Sequence, residues 1–114
     1  MNNKLIPSVI QEFVVENIGS VAQLELLIYV SSEQERDWTA EDLSFVLRAN
    51  PSAIQNYMVE LYGRGLINRR DDDGGETYFR YDSDTGNHQL ILLLGKYYRS
   101  HRTSIISLIY PREY

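Results

Sequence analysis

Ser52, Gln55 and Asn56 cluster within five positions, and Arg64, Arg69, Arg70 and Arg80 follow them. Hydroxyls and carboxamides donate and accept hydrogen bonds, while guanidinium groups hold anions through planar, paired contacts. Groups of this kind recognise a partner; they do not by themselves cleave or transfer anything. The sets that catalysis needs are missing. With no cysteine, thiolate nucleophiles, disulfides and thiolate metal sites are excluded. His88 and His101 have no third ligand at useful spacing, so no metal is implied. The acidic run Asp71 to Glu76 lacks the sixth-position glycine and twelfth-position glutamate of a calcium loop and reads as a solvated turn. No Ser/His/Asp set, glycine-rich phosphate loop or paired-carboxylate cleft is present, which argues against an enzyme and against any cofactor.

The elements that must position these side chains can be read from caps and periodicity. Pro7 suits a first helical residue, Ile10, Phe13, Val14 and Ile18 follow at helical spacing, and Gly19 is placed for a left-handed C-terminal cap. Ser20 with Gln23 forms a capping box for a second helix, whose inward stripe of Leu24, Leu27 and Ile28 is widened by Leu26, Tyr29 and Val30. That width predicts a central helix contacted from several sides. Residues 34–37 are a polar connection. Thr39 with Asp42 repeats the capping box, and Leu43, Val46 and Leu47 give a third helix one apolar face up to Ala49 and Asn50. Asn50 then caps a fourth helix with Pro51 in its first position; Ile54, Met58 and Leu61 share one face, and Ser52, Gln55, Asn56 and Glu60 the other.

Gly63 and Gly65 stop that helix. Residues 66–70 and 77–81 read as two strands joined by Asp71-Asp72-Asp73-Gly74-Gly75, where Asp-Gly and Gly-Gly supply positive φ for a hairpin. Alternation puts Thr77, Phe79 and Tyr81 on one face and Tyr78 and Arg80 on the other. After a polar loop, one long helix is expected over residues 87–110, stopped by Pro111 and roughly 35 Å long. Leu90, Leu94, Tyr97, His101, Ser104 and Leu108 repeat along it, with Ile91, Tyr98, Ile105 and Ile109 beside them. So wide an apolar sector predicts two partners, the chain's own core and a second copy of the chain. Most of the nine tyrosines fall on packing stripes; Tyr62, Tyr78 and Tyr114 are the surface candidates.

A length of 114 residues with 43% apolar and 24% charged side chains predicts one ordinary globular domain, residues 1–114. The N-terminal apolar stretch is too short for a secretory leader, and no apolar run approaches the roughly 18 residues of a membrane span, so a cytoplasmic protein is expected. Net charge is −5. Half of the acidic groups lie in residues 1–50, which carry only three basic ones. Phosphate neutralisation supplies most nonspecific DNA affinity, so this balance keeps a protein partner open.

The order helix, helix, helix, hairpin, with Leu61-Tyr62-Gly63-Arg64-Gly65-Leu66-Ile67 at the junction, resembles the winged helix-turn-helix domain of bacterial transcriptional regulators, most of all the multiple-antibiotic-resistance-regulator type. The resemblance covers residues 20–81. Ser20 to Leu27 together with Tyr98 to Arg102 also resembles a small bacterial winged-helix family without an assigned activity. The implied fold class is mainly α with a small β hairpin (α+β). A winged helix-turn-helix core is flanked by an N-terminal helix and a long C-terminal dimerisation or packing helix, residues 87–110. The resemblance implies double-stranded DNA as partner, a recognition helix at residues 51–62 in the major groove, and a wing at residues 66–81 on the flanking backbone. Ser52, Gln55 and Asn56 would then address base edges, and Arg64, Arg69, Arg70 and Arg80 phosphates. A homodimer would form through Leu90, Leu94, Tyr97, His101, Ile105 and Leu108. The alternative is a winged-helix module that binds protein and no DNA.

Overall fold

The computed structural model describes residues 6–110, so Pro111 and Tyr114 lie outside the described residues. Within them the chain forms α1 (Ser8–Asn17), α2 (Val21–Ser32), α3 (Ala40–Leu47), α4 (Pro51–Gly63), β1 (Ile67–Asp71), β2 (Thr77–Tyr81), α5 (His88–Ser100) and α6 (Arg102–Ser107). The mainly helical class with one antiparallel hairpin is the one expected. No single helix among the described residues is long and apolar enough to cross a membrane.

The first turn departs from expectation. Pro7 sits just before α1 with extended ψ, and the helix ends at Asn17 without a left-handed glycine; Ile18 turns extended instead and is buried. Burying that side chain reverses the chain abruptly enough for Ser20 to cap α2, its hydroxyl accepting from the Gln23 N–H at 3.1 Å. The Gln23 side chain is only 1% exposed, yet all its bonds are made. Its Oε1 accepts from the Gly19 N–H at 2.7 Å, and its Nε2 donates to the Tyr57 carbonyl at 3.2 Å and Glu60 Oε1 at 3.0 Å. A capping residue of α2 therefore also fixes α4. Leu24, Leu26, Leu27 and Val30 are fully buried around it, confirming α2 as the central helix.

The capping box at Thr39 and Asp42 forms as read. The apolar face of α3 is narrower than expected: Leu43 is buried and Leu47 half-buried, but Val46 is exposed. This helix is too short to wrap a second side into the core. Its end comes at Leu47 with Arg48 left-handed at φ 54°, a conformation that costs an L residue roughly 1–2 kcal/mol and closes the tight turn into α4. Asn50 Oδ1 then accepts from the Ser52 N–H at 2.7 Å.

In the hairpin Ile67 faces Tyr81, Asn68 faces Arg80, Arg69 faces Phe79 and Arg70 faces Tyr78. Phe79 and Tyr81 are buried, as the alternation predicts. The polar connection after α2 contributes an unexpected third edge. Trp38 and Phe79 exchange both backbone hydrogen bonds, at 2.8 and 2.7 Å, so a single residue extends the sheet. Trp38 is buried beneath Tyr29 and the Arg36 guanidinium, the latter 3.9 Å from its ring centroid.

The expected single helix over residues 87–110 is divided at His101, whose φ of −136° leaves the helical region. Ile105 and Ile109 are fully buried, and the bend is what returns them to the core that a straight helix would overshoot. Ser100 Oγ bonds the Lys96 carbonyl and His101 Nδ1, local bonds that compete with the helical ladder at that point. Tyr98 Oη donates to Glu25 Oε2 at 2.6 Å and Arg102 reaches the same carboxylate at 3.1 Å, tying the bend to α2.

Gln23→Ala should lower unfolding free energy by about 1–3 kcal/mol, the cost of leaving buried backbone partners unsatisfied. Urea unfolding with an unchanged m value would show it. A loss below about 0.5 kcal/mol would mean that water replaces the amide.

Candidate nucleic-acid interface

Helix α4 presents its polar face because Ile54, Met58 and Leu61 pull the opposite side into the core. Ser52 and Asn56 are exposed and Gln55 half-buried. Among the described residues no intramolecular hydrogen bond engages the side-chain amide of Gln55 or Asn56, so both keep their donors and acceptors for a partner. Val59 and Tyr62 add exposed apolar surface along the same helix. Glu60 is drawn aside: its carboxylate accepts from buried Gln23 and belongs to the flank of α4 that meets α2.

The four arginines are not equivalent. Arg64 donates to the Glu16 carbonyl at 2.8 Å and sits against α1, apart from the others. Arg69 pairs with Asp71 at 3.3 Å. Arg70 and Arg80 lie on the outer face of the hairpin and both bind Asp37, at 3.1 and 2.9 Å. With Asn68, Arg69 and Tyr78 they line a shallow groove of about 250 Å³. Arg70 stacks on Tyr78, its guanidinium carbon 4.4 Å from the ring centroid.

Hydrogen bonding from Arg80, reinforced by that from Arg70 and by the charges of both guanidiniums, holds the Asp37 carboxyl below its usual range against the opposing effect of desolvation. The Thr77 hydroxyl, then Arg69, lowers Asp71 in the same direction. Asp72 is committed to the turn, its Oδ1 accepting from the Gly74 and Glu76 N–H groups at 2.9 Å. At the base of the hairpin, burial and then Asp82 push the Tyr81 phenol up to about 12, so it stays neutral. Tyr81 Oη lies 2.7 Å from His88 Nδ1, joining β2 to the start of α5.

Two of the expected dimer residues offer no surface. Leu94 and Ile105 are fully buried within one chain, because α5 packs that side on α1 and α2 and the bend at His101 folds Ile105 inward. Leu90, Tyr97, His101 and Leu108 are half-buried. The exposed apolar side of α5 is instead Leu92, 42% exposed, and Leu93, 37%.

Asp37 and Phe45 were missed from the sequence. Asp37 meets its arginines 33 and 43 positions away, which no local pattern signals. Phe45, 88% exposed, did carry a signal, since it falls opposite Leu43 on a helical wheel.

No family model matches the chain, and no curated protein matches it significantly by sequence. Solved structures do match. A possible transcriptional regulator from Methanosarcina mazei Go1 is 17% identical over 85% of this chain and 83% of that one, with a TM-score of 0.59. MepR, a transcription regulator of the Staphylococcus aureus multidrug efflux pump MepA, is 16% identical over 88% and 73%, with a TM-score of 0.61. A mutant of MepR bound to an oligodeoxyribonucleotide matches at 16% identity, 88% and 72% coverage, and a TM-score of 0.61. The fold is a winged helix-turn-helix, with α3 and α4 as the helix-turn-helix and the hairpin as the wing.

Because its carboxyl is depressed in the folded state, Asp37 contributes stability above its ordinary value of 3.8 that is lost as pH falls below it. The gap in melting temperature between the wild type and Asp37→Asn should therefore narrow from about pH 5 downward through 3.8 and close only once pH has fallen below the depressed folded value. A gap that stays constant through that range would show that the carboxylate charge adds nothing to stability.

Proposed function

We propose that this winged helix-turn-helix chain is a DNA-binding transcriptional regulator acting as a homodimer, with α4 in the major groove and the hairpin on the flanking backbone. The observation that carries this is the outward polar face of α4, whose Gln55 and Asn56 amides are uncommitted among the described residues, with the arginine-bearing hairpin following directly from it. Glutamine and asparagine side chains suit paired contacts with adenine, and Ser52 at the exposed helix start completes the base-facing set. Arg70 and Arg80 form the main phosphate pair, with Arg69 behind them and Arg64 farther along. The structural likeness to a regulator bound to an oligodeoxyribonucleotide supports the same reading.

A second reading has its own observation. Phe45 projects from α3 with exposed Val46 beside it and exposed Glu41 and Asp42 on the same helix. An aromatic anchor rimmed by acids suits a protein with an apolar pocket and a basic edge.

Duplexes from the chain's own genomic neighbourhood, titrated at several salt concentrations, should bind with affinity that falls as salt rises. Asn56→Ala should cost about 1–3 kcal/mol on a cognate site and little on unrelated duplex. No binding at low salt, or binding without salt dependence, would remove the DNA reading and leave the Phe45 surface.

The dimer seam is assigned to Leu92 and Leu93, with Leu90 and Tyr97 at its edge. Leu93→Glu should give folded monomers in sedimentation, whereas Leu94→Glu should unfold the chain by placing a charge in its core. A dimer that survives Leu93→Glu with native circular dichroism would put the seam elsewhere.

A further inference from the structure

The outer face of the hairpin is occupied from within the chain. Asp37 stands just before Trp38, whose backbone is paired with Phe79, so the pairing delivers its carboxylate to the hairpin edge. Asp37 Oδ1 accepts from Arg80 Nε at 2.9 Å, and Oδ2 accepts from Arg70 Nη2 at 3.1 Å. Each carboxylate oxygen serves one guanidinium, as the two nonbridging oxygens of a phosphodiester would. Asn68, Arg69 and Tyr78 complete the groove around this ion cluster. The side chains of Arg70, Arg80 and Asp37 are 57%, 44% and 34% exposed, so water and incoming anions reach the cluster. Ion pairs this exposed are weak enough to exchange.

We propose that Asp37 is an internal occupant of the wing's phosphate site and yields Arg70 and Arg80 to a duplex only when a phosphate takes its place. This rests on the DNA-binding reading and adds a regulating contact to it. While Asp37 holds both guanidiniums, the outer wing offers little net positive charge to a random polyanion. A duplex gripped by α4 presents a phosphate at high local concentration and displaces the carboxylate, so the wing rewards a matched site more than an unmatched one. The competing role for Asp37 is to hold the guanidiniums in a geometry that phosphate binding needs. The two roles predict opposite signs when the carboxylate is removed.

The test compares Asp37→Asn with Glu12→Gln, an equal change of charge on exposed α1, in the otherwise intact chain. Asp37→Asn should bind duplex about three- to tenfold tighter than the control, the range expected from releasing two exposed ion pairs. On unmatched duplex, where wild-type Asp37 keeps both arginines, its salt dependence should steepen by about 0.9 in slope, one additional phosphate contact. It should also elute later from immobilised heparin. The double variant Asp37→Asn with Arg80→Gln should lose most of the gain, which separates released arginine from altered folding. Wild-type binding to duplex with Asp37→Asn no tighter than the control overturns the internal occupant while DNA binding stands. Weaker binding by Asp37→Asn assigns the positioning role and overturns the proposal. Later elution from heparin, with no duplex binding by either protein, keeps Asp37 as the occupant of a polyanion site and removes DNA. Neither duplex binding nor later elution overturns both.

Discussion

Gln23 is the contact on which the arrangement of the helices turns. A carboxamide at 1% exposure is tolerated only if its donors and acceptor are matched, and here the partners come from three places: the α1–α2 turn and two residues of α4. Because Tyr57 and Glu60 lie one turn apart, the amide constrains the rotation of α4 about its axis as well as its distance from α2. Rotation decides which residues face out. With Ile54, Met58 and Leu61 inward, Ser52 and Asn56 are left facing solvent. An apolar stripe alone permits some rolling of a helix; a buried, fully bonded amide does not.

The hairpin is held by a different device. It is a two-stranded sheet, marginal by itself, and gains a third edge from the single residue Trp38 while Phe79 and Tyr81 anchor its inner face. Trp38 couples the loop after α2 to the wing, and Asp37 travels with it. The acidic character of the region is consequently less uniform than the composition suggests. Asp37 and Asp71 face arginines and Asp72 closes the turn. Asp73 stands exposed at the tip.

At the other end, the bend at His101 trades helix continuity for burial. Ile105 and Ile109 enter the core, and the Glu25, Tyr98 and Arg102 cluster holds the elbow against α2. Burial raises the Tyr98 phenol, with the Glu25 carboxylate acting in the same sense, so the hydroxyl remains a donor to that carboxylate. A seam drawn on a straight helix therefore mixed core residues with surface ones. Leu94 and Leu93 are neighbours in sequence, yet one is wholly internal and the other is open to solvent.

Local signals were legible wherever their physics is local. The N-cap at Ser20, the capping box at Thr39, Asn50 and Pro51 at the start of α4, the positive φ of Gly65 and Gly75 and the alternation of β2 depend on neighbours within a few positions, and each appears where those residues stand. The left-handed cap expected at Gly19 does not form, and Gln23 turns its amide to the Gly19 N–H instead. The candidate base-facing residues were legible for the same reason, since the periodicity of α4 separates its two faces. Tertiary structure alone decided what depends on distant partners. It paired Arg70 and Arg80 with Asp37, bent the last helix to fill the core, and buried Leu94 and Ile105. A periodicity reports that a face is apolar but not which body covers it, and an ion pair across more than thirty residues leaves no trace in spacing; both are settled only when the chain is packed.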